Sequence, residues 1–304
     1  MIDRDDVVQA RRVVETHLLR TPTLNSRTLG ARLKCELFQR TGSFKPRGAL
    51  NKLSTLSDDE KRRGVIAISA GNHAQATAFA AGEYGVDALI VMWQGASEQK
   101  IEATRGYGGT VDLEATSPVD AWDRLNELIE QTGRTLVHPF DDPAIMAGAG
   151  TVGLEIEEDA PDADTVIVPV GGGGLIGGIV AAIGARTRIV GVEPEGSASL
   201  YDGLKAGHPV HVTPDTIADG LNAPFAGALA LEICKDIEVV LVTEEEIKTA
   251  FRFVYERAKL ACEPAGAAGA AALLAGKIDA DNPVIVVSGG NVSAQTASDI
   301  LGSR

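Results

Sequence analysis

Short apolar runs recur along the chain at a steady beat. Residues 65–69, 88–91, 110–113, 135–137, 165–170, 188–192, 238–242 and 283–287 are rich in Val, Ile and Thr and predict strands. A further strand is predicted over residues 33–38. The stretches between them carry helical patterning, several rich in alanine. The opening helix is predicted over about residues 5–19, ending before Thr21-Pro22, because proline disfavours helical geometry at its predecessor. Short continuous apolar strands alternating with helices predict an α/β fold of parallel sheets covered on both faces. More than eight strands approach the usual limit of one open sheet, so two sheets are expected.

Composition narrows the function classes. The chain has 304 residues, 44% of them hydrophobic, enough for a sizeable core. Its net charge of −14 repels phosphate backbones and anionic lipid, so nucleic acid and membrane surfaces are not expected partners. Residues 166–185 are uncharged and long enough to pose as a membrane span. Pro169 and four consecutive glycines, Gly171–Gly174, break that reading into a strand, a tight loop and a helix. Cys35, Cys234 and Cys262 are far apart and form no CxxC pair, so neither a disulfide framework nor a zinc ribbon is expected. With no secretory signal at the start, a cytoplasmic location is expected.

Two segments carry chemistry. Gly172-x-Gly174-x-x-Gly177 follows a strand and opens a helix, and Glu193 ends the next strand. This matches the written dinucleotide fingerprint, in which bare backbone N–H groups meet a phosphate at a helix N-terminus. Four consecutive glycines past the middle of the chain leave dinucleotide, monophosphate and mere close packing all open. An NAD-dependent oxidoreductase is therefore one reading. The second segment, Thr41-Gly42-Ser43-Phe44-Lys45, sets a lysine at the mouth of a helix in an otherwise uncharged stretch. Desolvation and the positive end of the helix dipole both lower a lysine's pKa, as a Schiff-base amine requires.

Ser43-Phe44-Lys45-x-Arg47-Gly48-Ala49, Ser69-Ala70-Gly71-Asn72-His73-Ala74-Gln75, Gly171-Gly172-Gly173-Gly174-Leu175 and Ser288-Gly289-Gly290-Asn291 stand in that order. Gly148–Glu155 and Ala218-Asp219-Gly220 fall between them. Together they resemble the threonine/serine dehydratase family, pyridoxal 5'-phosphate enzymes of the tryptophan-synthase β fold, over essentially the whole chain. The resemblance implies two α/β domains with the cofactor in the cleft, the smaller at residues 64–133 inserted in a larger one of residues 1–63 and 134–304. It also implies a homodimer.

By the same resemblance Lys45 holds the cofactor aldehyde and later acts as base at the substrate Cα. Phe44 and the Gly220 segment border the ring, Asn72 meets the ring hydroxyl, and Gly171, Gly172, Gly173, Gly174 and Leu175 hold the phosphate. Ser288 faces the ring nitrogen. Ser69, Asn72 and His73 bind the substrate carboxylate, although His73 also reads as a core or capping histidine. A hydroxyl at Ser288 leaves the ring a weak electron sink, which favours expulsion of a β-substituent over transamination. The implied reaction is loss of water from L-threonine, L-serine or a close analogue, giving a 2-oxo acid and ammonia.

Departures from the family pattern matter. Ala70 replaces the serine that acts as second base in serine racemases, which disfavours racemisation. Ala149 replaces a usual glutamine and would enlarge the substrate pocket. Glu193 stands where some relatives hold a divalent cation, but Ser199 replaces an aspartate ligand, so a cation is possible without being expected. Few residues follow Asn291, so a regulatory domain that would bind isoleucine is not expected. Racemisation and β-replacement are the alternatives within the fold.

Overall fold

The computed structural model describes residues 1–302. Ten strands form two sheets: β1 (Thr23–Ser26), β2 (Ala31–Cys35), β3 (Val65–Ile68), β4 (Ala88–Trp93), β5 (Thr110–Ala115), β6 (Thr135–Leu136), β7 (Thr165–Pro169), β8 (Arg188–Pro194), β9 (Glu238–Val242) and β10 (Pro283–Val287). The larger sheet has the order β1-β2-β10-β7-β8-β9 and the smaller β5-β4-β3-β6. Pairing is parallel throughout except for β1, which runs antiparallel to β2 at the sheet edge. β3, β7 and β10 are buried at every position, as continuous apolar strands covered on both faces must be.

The opening helix, Arg4–His17, begins at a capping box in which Asp3 and Asp6 satisfy each other's backbone N–H. The strand expected over residues 33–38 stops at Cys35. Residues Glu36–Phe38 form a 3-10 turn instead, because the Glu36 carboxylate is drawn onto the Arg47 guanidinium. The smaller sheet also reaches past residue 133, since Thr135 and Leu136 pair with Val65 and Ile66. The helix Lys45–Ser54 shares that sheet's core: Ala49, Leu50 and Leu53 pack with Val65, Ala67 and Ala74.

Arg47 holds the helix to the larger sheet. It is 0% exposed, and all five of its N–H donors are used. Nε and Nη2 donate to Glu36 (both 2.8 Å), while Nη1 and Nη2 donate to Glu155 (2.7 and 3.0 Å). The fifth bond goes from Nη1 to Thr151 Oγ1 (3.1 Å). Lys34, also fully buried, reaches Glu155 (2.6 Å) and the Thr21 carbonyl (2.7 Å). Such planar two-forked pairing suits arginine and not lysine. The approach that permits it relies on glycine: a Cβ on Gly48 would lie 2.7 Å from the Ile145 carbonyl, and one on Gly148 would overlap the Arg47 carbonyl.

Burial works against charge on Glu155, but Arg47 and Lys34 outweigh it and hold that carboxyl below its ordinary range. Its contribution is present above pH 4.5 and is lost on acidification through the lower folded value. Arg47→Leu leaves two carboxylates buried without their partner and should cost about 3–5 kcal/mol. A lower urea midpoint, or recovery only from inclusion bodies, is the expected result; an unchanged midpoint contradicts this account.

Candidate active site

The functional motifs meet at the C-terminal ends of the parallel strands, where open α/β sheets place their ligands. Phe44 N donates to the Ser288 carbonyl (3.1 Å), and Ser43 bridges Gly289 in antiparallel fashion. These contacts tie the lysine segment to the end of β10. Lys45 is the first residue of its helix, and Pro46 follows where the helix has no N–H partner to lose. Its Nζ donates to the Pro139 carbonyl (2.8 Å) and lies 5.2 Å from the centre of the Phe44 ring. Burial pushes the amine down to about 8, a fall that the Glu263 carboxyl partly opposes.

The glycine loop packs against Phe140, the residue after Pro139. The Phe140 ring occupies the space a Cβ on Gly172 would need, and Ala230 does the same at Gly173, whose φ of +89° already favours glycine. Close packing therefore explains part of the glycine run. The loop opens the helix Gly174–Ile183, whose first N–H groups lack helical partners and form an anion-binding end. Leu175 turns its side chain into the larger core, leaving its backbone for a ligand. The 3-10 turn Asp219–Leu221 backs the loop, with the Gly220 carbonyl 3.4 Å from where a Gly171 Cβ would stand. Ser288, buried, follows the last residue of β10.

The turn after β3 contributes from the smaller sheet. Ser69 Oγ accepts from Gly71 N (3.1 Å), and the helix Asn72–Tyr84 begins immediately after. His73 is buried with Nε2 on the Val137 carbonyl (2.8 Å). Burial above all, with the nearby Lys45, lowers it to about 3, so its ring is neutral and acts as a donor. The ring is thus anchored in the core, and the backbone N–H of His73 lies in the first turn of the helix.

Two positions singled out in the sequence, Ala149 and Glu193, are engaged by the fold itself. Ala149, 1% exposed, packs inside the larger core with Val7 and Ile179, so it opens no space in the cleft. Glu193 accepts from Leu200 N and Tyr201 N (both 2.8 Å), with Ser199 Oγ at 3.4 Å. Both oxygens thus accept from the start of the following helix, and burial pushes the carboxyl up to about 8. Among the described residues no cluster of three or more His, Cys, Asp or Glu side chains could hold a metal. No helix there is long and apolar enough to cross a membrane.

Sequence reasoning missed Glu263. Its carboxyl accepts from Asn72 Nδ2 (2.8 Å) and is pushed up to about 7 by burial and by Asp219. The available signal was the one used for Lys45: a lone charge, before Pro264, beside an uncharged Ala/Gly-rich helix. His138 was also missed. Its Nδ1 accepts from Asp141 N (2.8 Å), and its ring meets Phe140 edge-on at 4.8 Å. A cleft of about 420 Å³ is lined by Gln75, Lys100, Asp219, Glu263 and Asn291.

A desolvated primary amine whose partner is a carbonyl, beside a helix-end loop of bare backbone, fits a small molecule bearing an aldehyde and a phosphate. Residues 12–289 match the family model described as "Pyridoxal-phosphate dependent enzyme". The catabolic L-threonine dehydratase of Escherichia coli K12 is 40% identical over 98% of this chain and 95% of its own. An L-threonine ammonia-lyase of Thermotoga maritima is 42% identical over 99% of this chain and 78% of its own. The solved structure of maize serine racemase superposes with a TM-score of 0.93 at 36% identity, covering 98% of this chain and 96% of that one. The dinucleotide reading of the glycine loop therefore gives way, and the chain belongs to the family of pyridoxal-phosphate dependent enzymes.

Proposed function

We propose that this enzyme is an ammonia-lyase that removes water from L-threonine, L-serine or a close β-hydroxy amino acid and releases a 2-oxo acid and ammonia. The observation that carries this reading is the Lys45 amine, desolvated between the glycine loop and the turn Ser69–His73 with a carbonyl as its hydrogen-bond partner. Bound pyridoxal phosphate supplies an electron sink for the substrate Cα. In this reading Lys45 Nζ carries the cofactor and later takes the Cα proton. Gly171–Gly174 and the backbone of Leu175 hold its phosphate, Phe44 and the Gly220 turn border its ring, Ser288 faces the ring nitrogen, and Asn72 meets the ring hydroxyl.

Ser69 and the first N–H groups of the helix Asn72–Tyr84 receive the substrate carboxylate, as a helix N-terminus favours. Ala70, within that turn, has a methyl group and moves no proton, so the base is supplied from one face only. That supports elimination over racemisation. The names of the Escherichia coli and Thermotoga relatives point the same way, and the likeness to maize serine racemase makes racemisation the rival to exclude. We also place the protein in the cytoplasm as a homodimer; its three buried, unpaired thiols suit a reducing compartment.

Reconstituted protein should absorb in the visible, lose that band on borohydride reduction, and carry the reduced adduct on Lys45 by mass spectrometry. Lys45→Ala should abolish turnover, and an adduct elsewhere contradicts the assignment. Only the neutral amine attacks an aldehyde, so cofactor uptake by the cofactor-free protein should rise with pH through a midpoint near 8, against 10.5 for an ordinary lysine. A midpoint at the ordinary value would mean that the amine is solvated. With L-serine, pyruvate should form at least about tenfold faster than D-serine, a margin of about 1.4 kcal/mol in barrier; the reverse order favours the racemase.

A further inference from the structure

The side-chain amide of Asn72 belongs to a hydrogen-bonded chain with a direction. Asn291 Nδ2 donates to the Thr41 carbonyl (2.7 Å) and to Asn72 Oδ1 (2.8 Å). Asn72 Nδ2 in turn donates to Glu263 Oε1 (2.8 Å). A backbone carbonyl only accepts, so the Asn291 atom facing Thr41 is its nitrogen. That same nitrogen faces Asn72, which must answer with its oxygen. A flipped Asn72 would set nitrogen against nitrogen and oxygen against carboxyl.

The origin of this chain is itself constrained. Thr41 has a φ of 62°, a costly backbone conformation for a β-branched residue. At Gly42 a Cβ would collide with Asn291 Oδ1. The local backbone therefore makes room for Asn291 and aims a carbonyl at it. One N–H of Asn72 is committed to Glu263. The other lies outside the chain of bonds, on a residue that is only half-buried at the first position of its helix.

We propose that Asn291 and Glu263 are positioning residues that lock the Asn72 amide so that its remaining N–H is presented as a donor to the ring oxygen of the bound cofactor. The inference rests on the reading that Asn72 meets that oxygen. Neither positioning residue needs to touch the cofactor: Thr41 fixes the polarity of Asn291, Asn291 fixes that of Asn72, and Glu263 takes up the N–H that would otherwise compete.

Asn291→Asp is nearly isosteric but has no N–H to give Thr41 or Asn72, so the Asn72 amide is freed to turn its nitrogen toward the new carboxylate. Reconstituted Asn291→Asp should show a displaced visible band and a cofactor Kd raised about tenfold, as expected for losing a hydrogen bond to a charged group. Asn291→Ala, which removes the donor without adding charge, should move both readouts in the same direction. Glu263→Ala, which removes the acceptor that holds the second Asn72 N–H, should likewise displace the band and raise the cofactor Kd. Melting of the cofactor-free variants separates positioning from stability. Destabilised variants with an unmoved band, or Asn291 variants that match wild type in band and Kd, overturn the inference. A wild-type protein that takes up no cofactor at Lys45 overturns the underlying reading instead.

Discussion

One buried arginine fixes the geometry on which the site depends. Arg47 lies two residues after Lys45 and is gripped from both sides, by Glu36 after β2 and by Glu155 on the helix Pro143–Asp159. Each carboxylate alone would be costly to bury, as would the guanidinium. Together with Lys34 and two threonine hydroxyls they satisfy one another. The first turn of the helix Lys45–Ser54 therefore cannot shift without breaking several charge-assisted bonds. The same helix buries its apolar face in the core of the smaller sheet, so one element is pinned to the larger unit by charge and to the smaller by packing.

That arrangement sets the electrostatics of the cleft. The Lys45 amine, the Glu263 carboxyl and the His73 imidazole are all withdrawn from water, and burial moves each toward its neutral form. Desolvation is the leading cause in all three. An amine that loses its proton readily near neutral pH suits both capture of an aldehyde and later work as a base. The glycine loop needs no side-chain cation to attract an anion, because the helix-end N–H groups beside it supply positive potential.

Much of the site was legible because its residues break local rules. A lysine in an uncharged segment, four glycines after a strand, and Asn-His at a strand-to-helix turn each stand out from their surroundings. Glu263 breaks the same kind of rule before Pro264 but has no neighbouring glycine run to draw attention to it. Ala149 and Glu193 misled in the other direction. Their positions along the chain suggested pocket and ligand roles, yet one is enclosed by apolar side chains and the other caps the next helix. Nothing local distinguishes a carboxylate that terminates a strand from one that accepts N–H groups several residues later.

The sequence by itself determined the alternation of buried strands and helices, the lysine, the glycine loop and the order of the motifs. These depend on periodicity and on backbone conformations that neighbouring residues dictate. Tertiary structure decided which polar groups meet: Arg47 with Glu36 and Glu155, Asn72 with Glu263 and Asn291, His73 with the Val137 carbonyl. Those partners lie between 11 and 219 residues apart. Their contact follows from sheet order and helix docking, and hydrophobic patterning is indifferent to which polar groups such docking brings together.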